Sequence, residues 1–270
     1  MADLRGARLS GAVLRGADLG EADLRGTCLS GAILDGANLQ GADLRGSDLS
    51  RTKLAQVPAV GDPLEQAARW QVGGALCDRA TRWPAGFHPL TQGACLIAPH
   101  ANLAQVDLTG RDLTGAQLAG ANLAWAQLER MRQDGGYYRD GHLERADLSA
   151  ANLAGADLSG VGLDGANLRR ANLRGAQLWG ATLVGGNLRG AILVRANLQG
   201  TKLMNAGLAH ADLRGANLGG NAVWHGSHGD TEVLGPTNLT GADLTGARFD
   251  RRTRWPAGYH PLWHGAVLVR

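Results

Sequence analysis

The chain has 270 residues, of which 4% are aromatic, and its 41 glycines lack the every-third spacing of collagen, so neither an aromatic-rich globular core nor a triple helix fits. Its 27 Lys+Arg against 24 Asp+Glu give a formal charge of +3, too close to balance for a strong nucleic-acid footprint. Cys28, Cys77 and Cys95 are odd in number and fit neither a disulfide framework nor a zinc site. We therefore expect a reducing, cytoplasmic setting, with no membrane span and no signal peptide ahead of the first repeat.

The first block, 1–54, carries leucine at every fifth position from Leu4 to Leu54. A period of five matches neither a helix at 3.6 nor a strand at 2. Longer repeats must be read first, because they decide the whole architecture. One five-residue unit on each side of a square coil gives a turn of about twenty residues, with leucines filling the axis. A small residue two before each leucine also points inward, at a corner where a larger side chain would collide. Stacked coils then pair their backbones in parallel, about 4.8 Å apart, which provides partners for otherwise orphaned amides. The twenty-residue period is also visible outside: Ala2-Asp3-Leu4-Arg5-Gly6 returns as Ala22-Asp23-Leu24-Arg25-Gly26 and as Ala42-Asp43-Leu44-Arg45-Gly46. Asp3, Asp23 and Asp43 should form one column, with Arg5, Arg25 and Arg45 beside it.

Residues 55–100 leave the repeat. Asp62-Pro63-Leu64-Glu65 is a helix-start signal and predicts a short helix through Trp70. A Thr-Arg-Trp-Pro segment follows, and it returns 172 residues later: over the 24 pairs from Gly74/Gly246 to Ile97/Val269, 16 are identical. The second copy reads as a terminal cap at 250–270, covering apolar interior and unpaired backbone. The first copy either separates two solenoids or is an excursion within one; we favour two.

The second solenoid spans 101–249. Every fifth residue from Leu143 to Leu218 is leucine, sixteen in a row, and Val223 keeps the phase. Asn or Asp often precedes the leucine and glycine often follows two after. Two interruptions stand out, 129–142 and 224–236. In the first, Gln133 and Tyr138 occupy positions where leucine is due; the ten extra residues are degenerate repeats or a loop, and the polar and paired-glycine character favours a loop. The second shifts the phase by one residue before repeats on Leu239, Leu244 and Phe249, so it must also loop out.

The A-[DN]-L-x-x run resembles the pentapeptide repeat family and covers most of the chain. The resemblance implies an all-β, right-handed quadrilateral β-helix, a pentapeptide repeat solenoid, with non-repeat cap and loop insertions. It further implies a non-catalytic binding protein. The best understood members protect DNA gyrase or topoisomerase IV from poisons, in antibiotic resistance or self-immunity, by resembling a DNA duplex. Here the charge departs from that pattern: block 1–54 holds seven acids and seven bases, block 101–223 ten and twelve. The alternative is a scaffold module for an unrelated protein.

No spacing places a nucleophile beside a base, so no catalytic residue, cofactor or metal site is assigned; His225 and His228 read as part of a polar loop. The candidate partner-binding residues are Arg130, Arg132, Asp134, Tyr137, Tyr138, Arg139 and Asp140 on the first loop. To these we add an outward apolar column, Val184, Met204 and Trp224, which could also serve a homodimer.

Overall fold

The computed structural model describes residues 2–52, 72, 75–85, 87–108, 111–128, 131, 132, 138, 139, 142–225 and 231–270. The helix expected over 62–70 lies outside them. The chain divides into two compact units, Met1–Ala98 and Pro99–Arg270. Among the described residues no helix is long and apolar enough to cross a membrane.

Both units are built by one local rule. The leucine carbonyl accepts the N–H three residues on, as Leu4 does from Ala7 at 3.0 Å. The third residue of that turn sits at positive φ, 63° at Gly6, 65° at Gly26 and 68° at Gly46, the type II turn requirement. Glycine follows the leucine at two residues because this position rarely tolerates a Cβ. Between turns, the leucine N–H donates to the next coil and the N–H before it donates to the previous one: Leu24 to Asp43, Asp23 to Ala2, each at 2.9 Å. Each side of a coil therefore supplies an isolated parallel bridge and no long strand.

The bridges fix the count at four repeats per coil. In the first unit Asp3 pairs with Asp23 and Asp23 with Asp43, Arg8 with Cys28 and Cys28 with Asp48, Val13 with Ile33, and Asp18 with Asn38, all at an offset of twenty. The expected charge columns form. Arg5 binds Asp3 at 2.7 Å and reaches Asp23 at 3.6 Å, while Arg25 binds Asp23 and reaches Asp43 at 3.7 Å. Leu24, Leu29, Leu34, Leu39, Leu44 and Leu49 are fully buried, and Ala32, Ala37 and Ala42 fill the corners beside them. Where the corner residue is polar it is satisfied: the Thr27 hydroxyl donates to the Leu4 carbonyl and that of Thr201 to Leu178, at 2.8 and 2.9 Å.

The second unit repeats this pattern over more coils. Leu143 through Leu218 are buried throughout, with Ala146, Ala151, Ala156, Ala166, Ala171 and Ala176 at their corners. Asn or Asp before leucine has two uses. Its side-chain oxygen accepts the N–H two residues on, as Asn172 does from Arg174 at 3.2 Å. It also links coils: Asn122 donates to Asn102, Asn152 to Asn122, and Asn172 to Asn152, at 3.0 to 3.1 Å.

The two insertions are readable in the bridge offsets. Across residues 129–141 the offset rises from twenty to thirty, as in Asp112 with His142 and Asn122 with Asn152, then returns to twenty at His142 with Gly162. The ladder steps over ten residues and keeps its register on both sides. Across 221–236 the offset becomes thirty-six, as in Lys202 with Asn238 and Gly207 with Asp243. Leu239, Leu244 and Phe249 resume the buried column.

Both Trp-Pro segments close their units in the same way. Strand β1 (Leu76–Cys77) pairs in parallel with β2 (Cys95–Leu96). In the second copy Arg248–Phe249 pairs with Val267–Leu268. Each copy carries a short 3-10 turn, Pro89–Gln92 and Pro261–His264. The shared Asp and Thr make the joint. Asp78 accepts the N–H of Gly46, Ala80 and Thr81, and the Thr81 hydroxyl donates to the Leu44 carbonyl at 2.9 Å. Asp250 accepts from Gly215, Arg252 and Thr253, and Thr253 donates to the Leu213 carbonyl at 2.9 Å. These bonds fasten the closing turn to the last coil and satisfy its carbonyls.

Not every turn has glycine. Trp125 holds a φ of 60°, and its ring covers Gly155 of the next coil, where an added Cβ would lie 2.5 Å from the indole. Gly155 itself sits at φ +65°. Gly155→Ala is expected to cost at least about 1–2 kcal/mol from the left-handed backbone alone, and to displace the ring; thermal unfolding and tryptophan fluorescence check both.

Candidate interaction surface

Leucine fills the axis, so the candidate surface is the outside of the coils, where the first insertion departs. Residues Met131–Arg132 (β3) pair antiparallel with Tyr138–Arg139 (β4), Met131 opposite Arg139 and Arg132 opposite Tyr138. The first insertion is thus a hairpin stem, which places Arg132, Tyr138 and Arg139 together. Arg130, Asp134, Tyr137 and Asp140 lie outside the described residues.

The expected apolar column is corrected by the structure. Val184 and Met204 do stack: Gly165 donates to the Val184 carbonyl and Gly185 to that of Met204, both at 2.9 Å, and both side chains are half-buried. The next member is Thr240, whose carbonyl takes the Asn205 N–H at 2.9 Å. Trp224 does not belong to the column. It lies in β5 (Asn221–His225), paired antiparallel with β6 (Thr231–Pro236), opposite Glu232. Val223, although in phase, pairs with Val233 in the same two strands. A correct beat does not hold a residue in the coil when the chain on its far side must cross a longer insertion.

Sequence reasoning summed charge by block and missed how it is segregated. From 165 to 211 the chain holds Arg169, Arg170, Arg174, Arg189, Arg195 and Lys202 and no acid. All six are exposed, and among the described residues none of the five arginines is ion-paired within 4.0 Å. Two of them also sit at positive φ, and their stems lie over the glycines of the next coil: Arg170 over Gly190 and Arg195 over Gly215. Their guanidiniums therefore project from neighbouring sides of consecutive coils, spaced about 4.8 Å along the stack. Exposed Trp125 and Ile192 stand on the side that carries Arg174 and Arg195. A charge count over a sliding coil of twenty residues would have exposed the cluster.

The ridge ends at a paired acid. Arg214 grips Asp212 through two nitrogens, and that hydrogen bond, against a smaller opposing effect of burial, holds the Asp212 carboxyl below its usual range. A carboxyl depressed in the folded state adds stability above the unfolded value, near 4, that is lost as pH falls through the lower folded value. Asp212→Asn should therefore flatten the acid limb of the stability–pH curve below about pH 4 while leaving its neutral limb lower, as urea titrations at a series of pH values would record.

A stack of five-residue turns with hairpins, charge columns and a filled axis defines a repeat solenoid. The pentapeptide repeat model matches eight copies, at 2–31, 29–57, 100–130, 142–180, 151–190, 171–206 and 183–220 among them, and the chain belongs to the pentapeptide repeat family. No curated protein matches it. Among solved structures it is similar to HetL, a pentapeptide repeat protein involved in heterocyst differentiation regulation from the cyanobacterium Nostoc sp. strain PCC 7120, at 29% identity over 91% of this chain and 84% of that one, with a TM-score of 0.42. It is also similar to QnrB1, a plasmid-mediated fluoroquinolone resistance protein, at 15% identity over 89% and 90%, with a TM-score of 0.39. The pentapeptide repeat protein Rfr23 from the cyanobacterium Cyanothece 51142 shares 34% identity over 55% and 90%, with a TM-score of 0.27. None of the three superposes closely enough to carry a functional argument.

Proposed function

We propose that the chain is a non-catalytic binding protein that contacts a protein partner through the hairpin at 131–139, and that the partner is a type II topoisomerase, DNA gyrase or topoisomerase IV, shielded from a poison. In this reading the coils wind right-handed around a four-cornered section, 55–100 separates two solenoids, and the protein works in the cytoplasm. The observation behind it is the ten-residue step in bridge offset, from twenty to thirty, at Asp112–His142. A rigid scaffold that lets a polar segment project while keeping its own ladder intact is how binding loops are usually presented. The test is supercoiling by gyrase in the presence of a quinolone, with and without this protein in micromolar excess. Restored supercoiling supports the reading, and unchanged poisoning ends it.

The arginine ridge favours a second reading. A duplex mimic must be acidic along its length, and every Asp, Glu, Lys or Arg position from 165 to 211 is basic. A scaffold that docks an acidic surface of an unrelated protein uses that ridge directly, with arginine suited to bidentate grip on carboxylates. In this case Arg169→Glu with Arg189→Glu abolishes pull-down of the partner, while deleting the hairpin does not.

A further inference from the structure

Seven repeats of the chain read Asp-Leu-Arg or Asn-Leu-Arg, and they fall into two sets. In four the residue before leucine is aspartate, which holds the arginine after leucine: Asp3 holds Arg5 at 2.7 Å and Asp212 holds Arg214 at 2.6 Å, and Asp23 and Asp43 hold Arg25 and Arg45 likewise. In the first unit the arginine also reaches the aspartate of the next coil, as Arg5 does Asp23 at 3.6 Å. The other three, Arg169, Arg174 and Arg189, follow Asn167, Asn172 and Asn187. Each asparagine keeps the turn, because its side-chain oxygen accepts the arginine N–H at 3.2 to 3.3 Å, as the aspartates do. Only the negative charge is gone.

The next coil supplies no carboxylate either: beyond Asn167, Asn187 and Asn172 it places Asn187, Gly207 and Ile192. Asp147, one coil before Asn167, gives its Oδ1 to the Ser149 N–H and to the Asn167 amide. Asp243, two coils beyond Asn187, takes the Thr245 N–H at 2.9 Å and feels Arg189 only at longer range. Arg170 then adds a further guanidinium. Its N–H donates to the Arg189 carbonyl at 3.0 Å, and its stem leans over Gly190, the residue beside Arg189. Arg169, Arg170 and Arg189 therefore start within one coil step of one another. Three like charges so placed repel, and the fold that neutralises this repeat position four times elsewhere leaves them open to an incoming anion.

We propose that Arg169, Arg170 and Arg189 bind a phosphate monoester dianion. A carboxylate, with one charge and two oxygens, is satisfied by a single arginine, as the Asp212–Arg214 pair shows. A phosphate monoester brings about two charges and three acceptor oxygens, one for each guanidinium. The planar fork of arginine suits those oxygens. The site rests on the reading of the ridge as a docking surface and names the group it takes. Partner pull-down reports that reading, and phosphate binding reports this one.

The experiment titrates the full-length protein with methyl phosphate at low ionic strength, followed by calorimetry. Wild type should bind saturably, and succinate and dimethyl phosphate should bind at least about tenfold more weakly. Asn187→Asp restores the carboxylate without changing the side chain's shape. It should melt as wild type or higher and lose at least about tenfold in affinity, as should Arg189→Gln. Arg8→Gln, an equal loss of charge in the first unit, should leave affinity unchanged. A phosphoserine peptide that binds more tightly than methyl phosphate marks a phosphorylated protein as the source, and equal or weaker binding marks a free phosphate monoester. Absence of saturable binding to wild type overturns the proposal, as does equal binding of succinate or dimethyl phosphate. So does wild-type affinity in folded Asn187→Asp, or an Arg8→Gln loss as large as that of Arg189→Gln.

Discussion

Deletion of residues 131–140 leaves the coils intact and removes the activity that depends on the hairpin. The cut joins Arg130 to Gly141, so Leu128-Glu129-Arg130-Gly141-His142-Leu143 restores the five-residue beat, with a small residue two before leucine. Every thirty-residue bridge over the insertion, Asp112–His142, Gln117–Asp147, Asn122–Asn152 and Gln127–Asp157, becomes a twenty-residue bridge between the same atoms. Loop closure over ten residues is returned to the folded state, a term of order 1 kcal/mol, so thermal unfolding should hold or rise slightly. Gyrase protection, or capture of whatever protein the hairpin holds, should fall by at least about tenfold. The control is deletion of nine residues, 131–139. It leaves one residue more than the beat allows and should lower the melting temperature without improving the loss of binding. If the ten-residue deletion unfolds the protein, the hairpin is part of the coil after all; if it keeps full activity, the partner is held elsewhere.

Leu183→Ala has the largest expected effect on stability. Leu183 is fully buried in the middle of the second unit, and its N–H donates to the Lys202 carbonyl at 2.8 Å. Truncating a leucine at a site that cannot collapse costs about 3–5 kcal/mol, and this axis is held open by its backbone bridges on every side. Coils touch only their neighbours, so a weak coil in mid-stack also separates the stabilities of the two halves. Urea unfolding should show an earlier midpoint and a broader transition, or two. Val184→Ala, one residue along and half-buried, should cost under about 1 kcal/mol by the area it exposes. A Leu183→Ala cost as small as that of Val184→Ala would mean that the axis is not the source of cohesion.

Much of the fold can be read from the sequence, for a reason particular to this architecture. Each inward leucine, corner alanine and turn glycine satisfies a requirement that is local and repeats, so Leu143 to Leu218 can be placed by counting. The Asp3, Asp23 and Asp43 column follows by the same arithmetic. Even the first insertion is visible as fifteen residues between Leu128 and Leu143. Counting fails where two insertions or faces must be compared. It put Trp224 above Met204, although the far end of its coil lay beyond a sixteen-residue excess, so β5 and β6 took the tryptophan away. It also hid the ridge from Arg169 to Arg195, because acids from 107 to 164 cancelled those arginines in a sum taken over the whole block.

The sequence alone determined the beat, the twenty-residue coil, the buried axis and the twin caps, since each depends on contacts between residues a fixed distance apart. The tertiary structure decided which residues share a side after an insertion and, among the described residues, which arginines stand together without an ion pair. Both are matters of what lies across a gap of variable length. Neither has a signature in the order of the residues until the coils are stacked.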